Sequence, residues 1–350
     1  MSTIMLDMFD SRSMTAAVVK TKVFEPFILK TLFSPPEGHA ADKIDLEVIT
    51  HSEKLAKFVN QSEGPHLLKK DDRFYQTVSL PRTYEEYIFT AQELADYNAF
   101  GQLYDQNPAR KAEEANKFVV RHLEYLKERA MLRREWMACK AIATGKCEVS
   151  QSNIAFSIDY LFENNVHLTD LGANNYWDDT TPDILKNISD WKRAMLRRVG
   201  RTPDIVILGS DARDMLVSNE AVKKALDTNN YRIGSIDQSK LQSGAADYIG
   251  NILGLDFYEY NQQFVADNDI ATDLIPADRA IVTYRANKNN RVHYGPVHQI
   301  VNKKLNTIIT EYNLDVEEKN KKTLSWTLEQ KSLPAIHNAD AFISCQVISS

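Results

Sequence analysis

The stretch PARKAEEANKFVVRHLEYLKERAMLRREWMACKAIATG, Pro108 to Gly145, decides the fold. Asn107 stands before it as an N-cap, Pro108 takes the first helical position, where its missing N–H costs nothing, and Gly145 is the stop. Ala115, Val119, Leu123 (beside His122), Leu126, Ala130, Met137 and Ala141 recur at helical spacing and make one apolar stripe. The rest of the surface is charged, with nine Lys or Arg against five Glu. At 1.5 Å per residue, about 36 residues give a rod of roughly 54 Å. That is long for a compact enzyme domain. Either it bridges domains and its charges are merely solvated, or it is a spine running the length of a flat subunit.

On the amino-terminal side, residues 1 to about 36 are short apolar fragments around Pro26, Pro35 and Pro36. Phe24, Phe27, Ile28, Leu29, Leu32 and Phe33 are too few to make a core alone, so this arm packs on its own domain or crosses to a neighbouring subunit. Lys43 to Ile49 alternates charged and apolar residues as a half-buried strand does, and Phe74 to Leu80 is a second extended stretch ended by Pro81. Between them, Asn60 to Arg73 holds Gly64-Pro65 and the run Lys69, Lys70, Asp71, Asp72, Arg73. Residues 44 to 90 read as a long two-armed excursion with a charged tip. An ordinary surface loop would look similar, but loops of this length are uncommon in compact domains and often bind something. The five charged residues are the candidate inter-subunit contacts.

On the carboxyl-terminal side the pattern weakens from Cys147 to Asp179, where asparagines break it, and resumes with a helix opened by Pro182. Ile184, Ile188, Trp191, Met195 and Val199 share one face, Lys192, Arg193, Arg197 and Arg198 gather toward the negative end of the dipole, and Gly200 terminates it. Asp204-Ile-Val-Ile-Leu208 is apolar enough for a strand covered on both faces. Gly209 follows, then Ser210 or Asp211 as N-cap, a helix over 212–217 and another over 220–228. Strands fit 255–260, 279–284 and 291–294, and the terminal stretches 305–316, 322–330 and 342–348 look like sheet. No internal repeat of 20 to 50 residues and no low-complexity segment is present.

The composition supports a packed globular protein of one large or two modest domains, with 43% apolar and 26% charged residues among 350. A formal charge of -6 is too mild for a dedicated nucleic-acid reader. Cys139, Cys147 and Cys345 form no C-x-x-C pair, so neither a disulfide framework nor a zinc ribbon is indicated, and a reducing cytoplasm fits. Met1 to Val19 carries Asp7 and Asp10 and no continuous apolar block, so it does not read as a signal peptide, and no stretch approaches a membrane span.

Catalytic constellations are weak throughout. Gly209-Ser210-Asp211 supplies one glycine where a dinucleotide turn needs three, and Asp211 at a helix start repels phosphate. His293 and His298 are separated by the Gly295-Pro296 turn and lack a third ligand, so they read as surface residues beside a strand. Trp177-Asp178-Asp179 pairs two carboxylates, too few for a cation cage and explained equally by a turn. No Gly-x-Ser-x-Gly elbow occurs. No catalytic residue, cofactor or metal is expected.

The order of an amino-terminal arm, a long excursion, one very long helix, a central domain around a buried strand and a returning sheet resembles the major capsid proteins of tailed phages. The likeness is to the family typified by the lambda capsid protein E. It spans the chain and rests most on Asp204 to Gly209 leading into Ala221 to Thr228, on Ile275 to Val282 leading into His293 to Pro296, and on the ending Ser332 to Val347. The resemblance implies an α+β, HK-ninety-seven-like phage capsid fold: arm 1–43, extended loop 44–90 lying over an adjacent subunit, peripheral domain 91–179 with spine helix 108–145, axial domain 180–300, and 301–350 returning to the peripheral sheet. It implies a virion protein assembled in the host cytoplasm, forming hexamers and pentamers of an icosahedral shell around packaged double-stranded DNA, with weak non-specific DNA contact, no membrane and no enzymatic activity. Portal protein is an expected partner and a decoration protein a further candidate. Relatives with a fused scaffold carry a helical stretch before the arm, so a separate scaffolding protein is expected. The competing reading is a cytosolic α/β enzyme or ligand-binding domain with a site near Gly209.

Overall fold

The computed structural model describes residues 26–49, 73–90, 93, 108–151, 154–229, 246–265, 270–285, 289–301, 304–320 and 322–349. The described chain opens with α1 (Phe27–Leu32) and β1 (Ser34–Gly38), then β2 (Lys43–Ile49), β3 (Arg73–Ser79) and β4 (Arg82–Thr90). The long helix α2 (Pro108–Thr144) precedes β5 (Lys146–Gln151), β6 (Ile154–Asp159) and β7 (Leu168–Asp170). Next come α3 (Ile184–Val199), β8 (Ile205–Leu208), α4 (Ser210–Ser218) and α5 (Glu220–Asn229). The strands β9 (Asp247–Ile252), β10 (Leu255–Glu259), β11 (Gln263–Val265), β12 (Ala271–Asp273) and β13 (Arg279–Thr283) follow. The chain ends with β14 (Arg291–Tyr294), β15 (Pro296–Val301), β16 (Lys304–Ile309), β17 (Asn313–Asn320), β18 (Thr323–Ala335) and β19 (Ile343–Gln346).

Two sheets organise these elements. In the first, six strands run in the order β7-β19-β13-β8-β10-β9, with β8 parallel to β10 and antiparallel to β13. All four residues of β8 are buried, as a run of Ile-Val-Ile-Leu between two neighbours requires. α3 covers this sheet with Ile184, Ile188, Trp191 and Met195, the face its sequence spacing predicts. The second sheet has five strands, β1-β14-β18-β17 with β4 also on β18. The thirteen residues of β18 form its axis, pairing β17 and β4 along one half and β14 along the other.

α2 joins the two. Leu123, Leu126 and Ala130 pack with Phe89, Trp326 and Leu328 under the five-stranded sheet, whereas Met137, Ala138, Ala141 and Ile142 belong to the core of the six-stranded sheet. The stripe supplies burial at both ends, and three charged residues of the helix, Lys127, Arg134 and Glu135, are buried beside it. Gly145 ends it at φ +70°, a left-handed turn, with its Cα against Phe162, so a side chain there would be both strained and crowded.

Several elements differ from the sequence reading. α3 starts at Ile184, and Asp183 is its cap, accepting the Lys186 N–H at 3.1 Å; Pro182 precedes the cap. α4 starts at Ser210 with Gly209 in the cap position, so neither Ser210 nor Asp211 caps it. The stretch 305–316 is broken, because Tyr312 turns inward between Lys127 and Arg134 of α2. Pro296 begins β15 rather than closing a turn. Arg82 to Thr90 pairs with β18, so the projecting ladder of the excursion is β2 with β3.

The first turn of α1 has no capping side chain of its own. Glu135 of α2 takes that place, accepting the N–H of Ile28 at 2.7 Å and of Leu29 at 3.1 Å, while the Tyr260 hydroxyl donates to the same carboxyl at 3.0 Å. Burial raises the Glu135 carboxyl to about 7 against the pull of these donors. The folded chain therefore holds the proton where the unfolded chain releases it, and stability falls as pH rises from about 4.5 to about 7. Glu135→Gln keeps an acceptor and removes the charge. The excess stability of the wild type over this variant should grow by on the order of 3 kcal/mol as pH drops from 7 to 4.5, measured by urea unfolding. A difference independent of pH would show that Glu135 does not titrate in the fold.

Candidate assembly surfaces

Asp42, the residue before β2, marks a shared root of two projecting ladders. Its carboxylate accepts from Lys331 of β18 at 2.6 Å and lies 3.5 Å from His298 of β15, and its carbonyl accepts the Leu80 N–H, closing the base of the β2–β3 ladder. The Lys331 hydrogen bond and charge hold the Asp42 carboxyl below its ordinary range. Gly295, where β14 passes into β15, occupies the same corner, and a Cβ there would sit 2.6 Å from the Leu80 side chain. The β2–β3 arm and the β15–β16 ribbon thus start from one corner.

The ribbon carries an apolar pair in water. Ile300 lies directly across the ladder from Leu305, and they are 79% and 73% exposed. An isolated two-stranded ribbon is marginal in water, and a contiguous apolar pair this exposed marks a contact surface. Ile309, further along β16, is also exposed.

A groove of about 750 Å³ follows α2. Trp136 lies along it with the Arg133 guanidinium 5.3 Å and the Lys140 ammonium 5.5 Å from its ring, and Phe264 meets it edge-on at 6.1 Å. Tyr84 and Leu274 complete the walls. Near its end, Arg129 is clamped by both carboxylate oxygens of Glu85, at 2.7 and 3.0 Å. An apolar floor with a rim of mixed charge, Arg129, Arg133 and Lys140 against Glu85, Glu148 and Asp273, suits an extended chain segment better than a small molecule.

Of the expected contact residues, Lys69, Lys70, Asp71 and Asp72 lie outside the described residues, and Arg73 is described only as the first backbone position of β3. Cys139, Cys147 and Cys345 are free and buried, and burial pushes the Cys147 thiol up to about 12, so none is a thiolate. Asp179 accepts the Tyr176 N–H at 2.7 Å, the local bond of a turn, and Asp178 accepts from the distant Ser349. Among the described residues no group of three or more ligating side chains could hold a metal ion. The two histidines singled out in the sequence part company. His298 is exposed, but His293 is buried, correcting its reading as a surface residue, because β1 and the turn after β18 cover it.

Gly209 is closed to ligands. Its N–H donates to the Arg279 carbonyl at 3.0 Å, and a Cβ there would stand 2.2 Å from the Pro276 carbonyl oxygen and 2.6 Å from Ala277. The glycine is needed for backbone contact, and the room a ligand would need is filled by protein. What sequence reading missed was Asp42 and the ribbon, although Val297, Ile300, Leu305 and Ile308 flanking Asn302-Lys303-Lys304 form a hairpin signal.

The sequence profile of the family described as phage major capsid protein E matches residues 10–347. The chain belongs to that family. It is a structural protein of the virion that assembles into multi-subunit capsid shells, and it is not an enzyme. No curated protein sequence matches the chain significantly. The fold is HK-ninety-seven-like. A protein of an Escherichia coli CFT073 prophage, assigned as a capsid protein, aligns with 97% of this chain and 99% of its own at TM-score 0.70 and 12% identity. A phage-related protein from Bordetella bronchiseptica RB50 aligns over 95% of both chains at TM-score 0.52 and 12% identity. The capsid asymmetric unit of cyanophage A-1(L) does so over 95% of both at 0.50 and 11%.

For this capsid subunit, Gly209→Ala should lower stability by at least about 1–3 kcal/mol, because the clash is with backbone. An unchanged denaturation midpoint would mean that the 276–277 turn can move aside and that the site is not sealed.

Proposed function

We propose that the subunit forms hexamers and pentamers that close into an icosahedral shell around packaged double-stranded DNA, and that the arm and the ribbon make its principal contacts with neighbouring copies. The exposed Ile300–Leu305 pair on a ribbon rooted beside the arm carries this reading, since a free subunit gains nothing by presenting it to water. In the proposed arrangement the β2–β3 arm lies over an adjacent subunit and brings Lys69, Lys70, Asp71, Asp72 and Arg73 to its edge. The groove beside Trp136 offers an extended segment of a neighbour an apolar seat. The region of the six-stranded sheet, about residues 180–300, would be the axial part that meets its copies at five-fold and six-fold centres. α2 and the five-stranded sheet would be the peripheral part.

A net charge of -6 suits a container whose contact with DNA is weak and non-specific. Scaffolding and portal proteins, and a decoration protein on the outer face, are the partners this reading proposes, with assembly in the host cytoplasm.

Two sets of substitutions test it. Reversing Lys69, Lys70 and Arg73 to Glu, and separately introducing Ile300→Asp with Leu305→Asp, should each cut the yield of closed particles seen by negative-stain electron microscopy. Unfolding of the unassembled chain carrying the ribbon pair should change by less than about 1 kcal/mol, as expected of exposed positions where two like charges face each other across a ladder. Normal particle yield would remove the altered surface from the assembly contacts. A wild-type chain that stays monomeric by light scattering, alone and with its scaffold, would defeat the shell reading.

A further inference from the structure

Three imidazoles meet where β1 joins the five-stranded sheet. His39 Nε2 is 2.8 Å from His293 Nδ1, and His293 Nε2 is 3.0 Å from His337 Nε2. His39 directly follows β1, His293 is the third residue of β14, and His337 follows β18, so the chain of rings links all three elements. β1 itself is a poor strand. It reads Ser34-Pro-Pro-Glu-Gly38, and its two prolines have no N–H to give the ladder. Its fastenings at the two ends are the Ser34 N–H to the Asn290 carbonyl and the His39 N–H to the Tyr294 carbonyl, each 2.8 Å, with a Glu37–Arg291 ion pair between.

We propose that His39, His293 and His337 form an acid-releasable clasp that fastens β1, and with it the root of the β2–β3 arm, to the five-stranded sheet. The inference concerns the single chain and does not depend on shell formation. The proton count gives the clasp its character. Each N–N contact needs one hydrogen between its two nitrogens. Three neutral imidazoles satisfy both contacts, for instance with His39 donating to His293 and His293 donating to His337. One extra proton is also accommodated: on His39 it keeps that polarity, and on His337 the polarity runs the other way. A second extra proton is not, because both ends then donate toward His293, which as a neutral ring can accept on only one nitrogen. The alternative puts one of the two on His293, which then donates at both nitrogens and meets, on one side, a charged ring whose facing nitrogen also carries a hydrogen.

The surroundings point the same way. The charged and titratable groups facing His293 are His39 and Glu37 from β1, Arg291 from β14 itself, and His337 from the turn after β18. Burial, followed by His337 and His39, depresses His293 to about 4 from its ordinary 6.5, with Glu37 as the one opposing charge. A base held below its unfolded value contributes stability that is complete above about 6.5 and is lost as pH falls toward 4. Opened, His293 returns to ordinary imidazole behaviour and takes up the proton that the closed chain refuses.

Hydrogen–deuterium exchange of the full chain, read by mass spectrometry and corrected for intrinsic rates, tests this. Between pH 7.5 and 5.0 the protection of residues 37–39 should fall by at least about tenfold, while β13 amides keep theirs; each proton taken up on opening is worth a factor of up to about ten per pH unit. His39→Gln should reduce protection at pH 7.5 and lessen the pH dependence. Protection of 37–39 unchanged at pH 5.0 overturns the clasp, as does an equal pH-dependent loss in the variant, which would assign the effect to the burial of His293 alone. Simultaneous loss across β13 in the wild type also overturns it, since that is global unfolding. Should the variant lose β13 protection at pH 7.5, the wild-type comparison of 37–39 with β13 decides alone.

Discussion

A helix of 37 residues whose surface is mostly charged has no reason to persist in water except where its stripe is covered, and α2 is covered in two places by two different cores. That double burial is the constraint from which the rest of the subunit follows. The five-stranded sheet must sit over Leu123 to Ala130, and the six-stranded sheet must reach Met137 to Ile142. β18 spans the same gap from the other side, with Trp326 and Leu328 in one core and Leu333 and Ala335 in the other. Gln330 stitches the two bridges together, donating to the Ala130 carbonyl at 2.9 Å and accepting from Arg134 at 3.1 Å. A subunit with two such members resists bending between its sheets, as an object that tiles a curved surface must.

With the interior committed in this way, the outward chemistry is left to segments that the cores do not need. The arm and the ribbon share their root at Asp42, and the ribbon exposes Ile300 and Leu305, side chains that a solitary protein would bury. Buried polar groups serve joints: Glu135 receives the first turn of α1, and Arg198 gathers the carbonyls of Val166, Asp340 and Phe342 around the end of α3. None of these groups converges on space where a substrate could lie, which agrees with a protein whose activity is association.

Periodic and self-sufficient elements were legible in the sequence. α2, the buried face of α3 and the doubly covered β8 each announce themselves within a few turns or residues, because the signal is local. What stayed hidden was set by distant partners. Ser-Pro-Pro-Glu-Gly reads as a turn and becomes β1 only because β14, more than 250 residues away, offers it an edge. His293 looked like a surface residue because His39 is 254 positions off and His337 is 44. Glu135 carried a weak local clue, standing three and four residues before the buried Ala138 and Cys139, yet its partners Ile28, Leu29 and Tyr260 come from elsewhere. Gly209 misled for the same reason, since the backbone that fills its space belongs to Pro276 and Ala277.

Pro35 and Pro36 have a meaning beyond weakening β1. They occupy an outer strand of the five-stranded sheet, where an unmodified strand would present free N–H donors to any passing chain. Copies of a shell protein meet at high local concentration while the shell is being built. An adhesive sheet edge under those conditions would trap them in stacked, open-ended aggregates before the lattice could close. Two imides in that strand deny such a stack part of its hydrogen-bond ladder, so the subunit can be sociable along its intended surfaces and inert along this one.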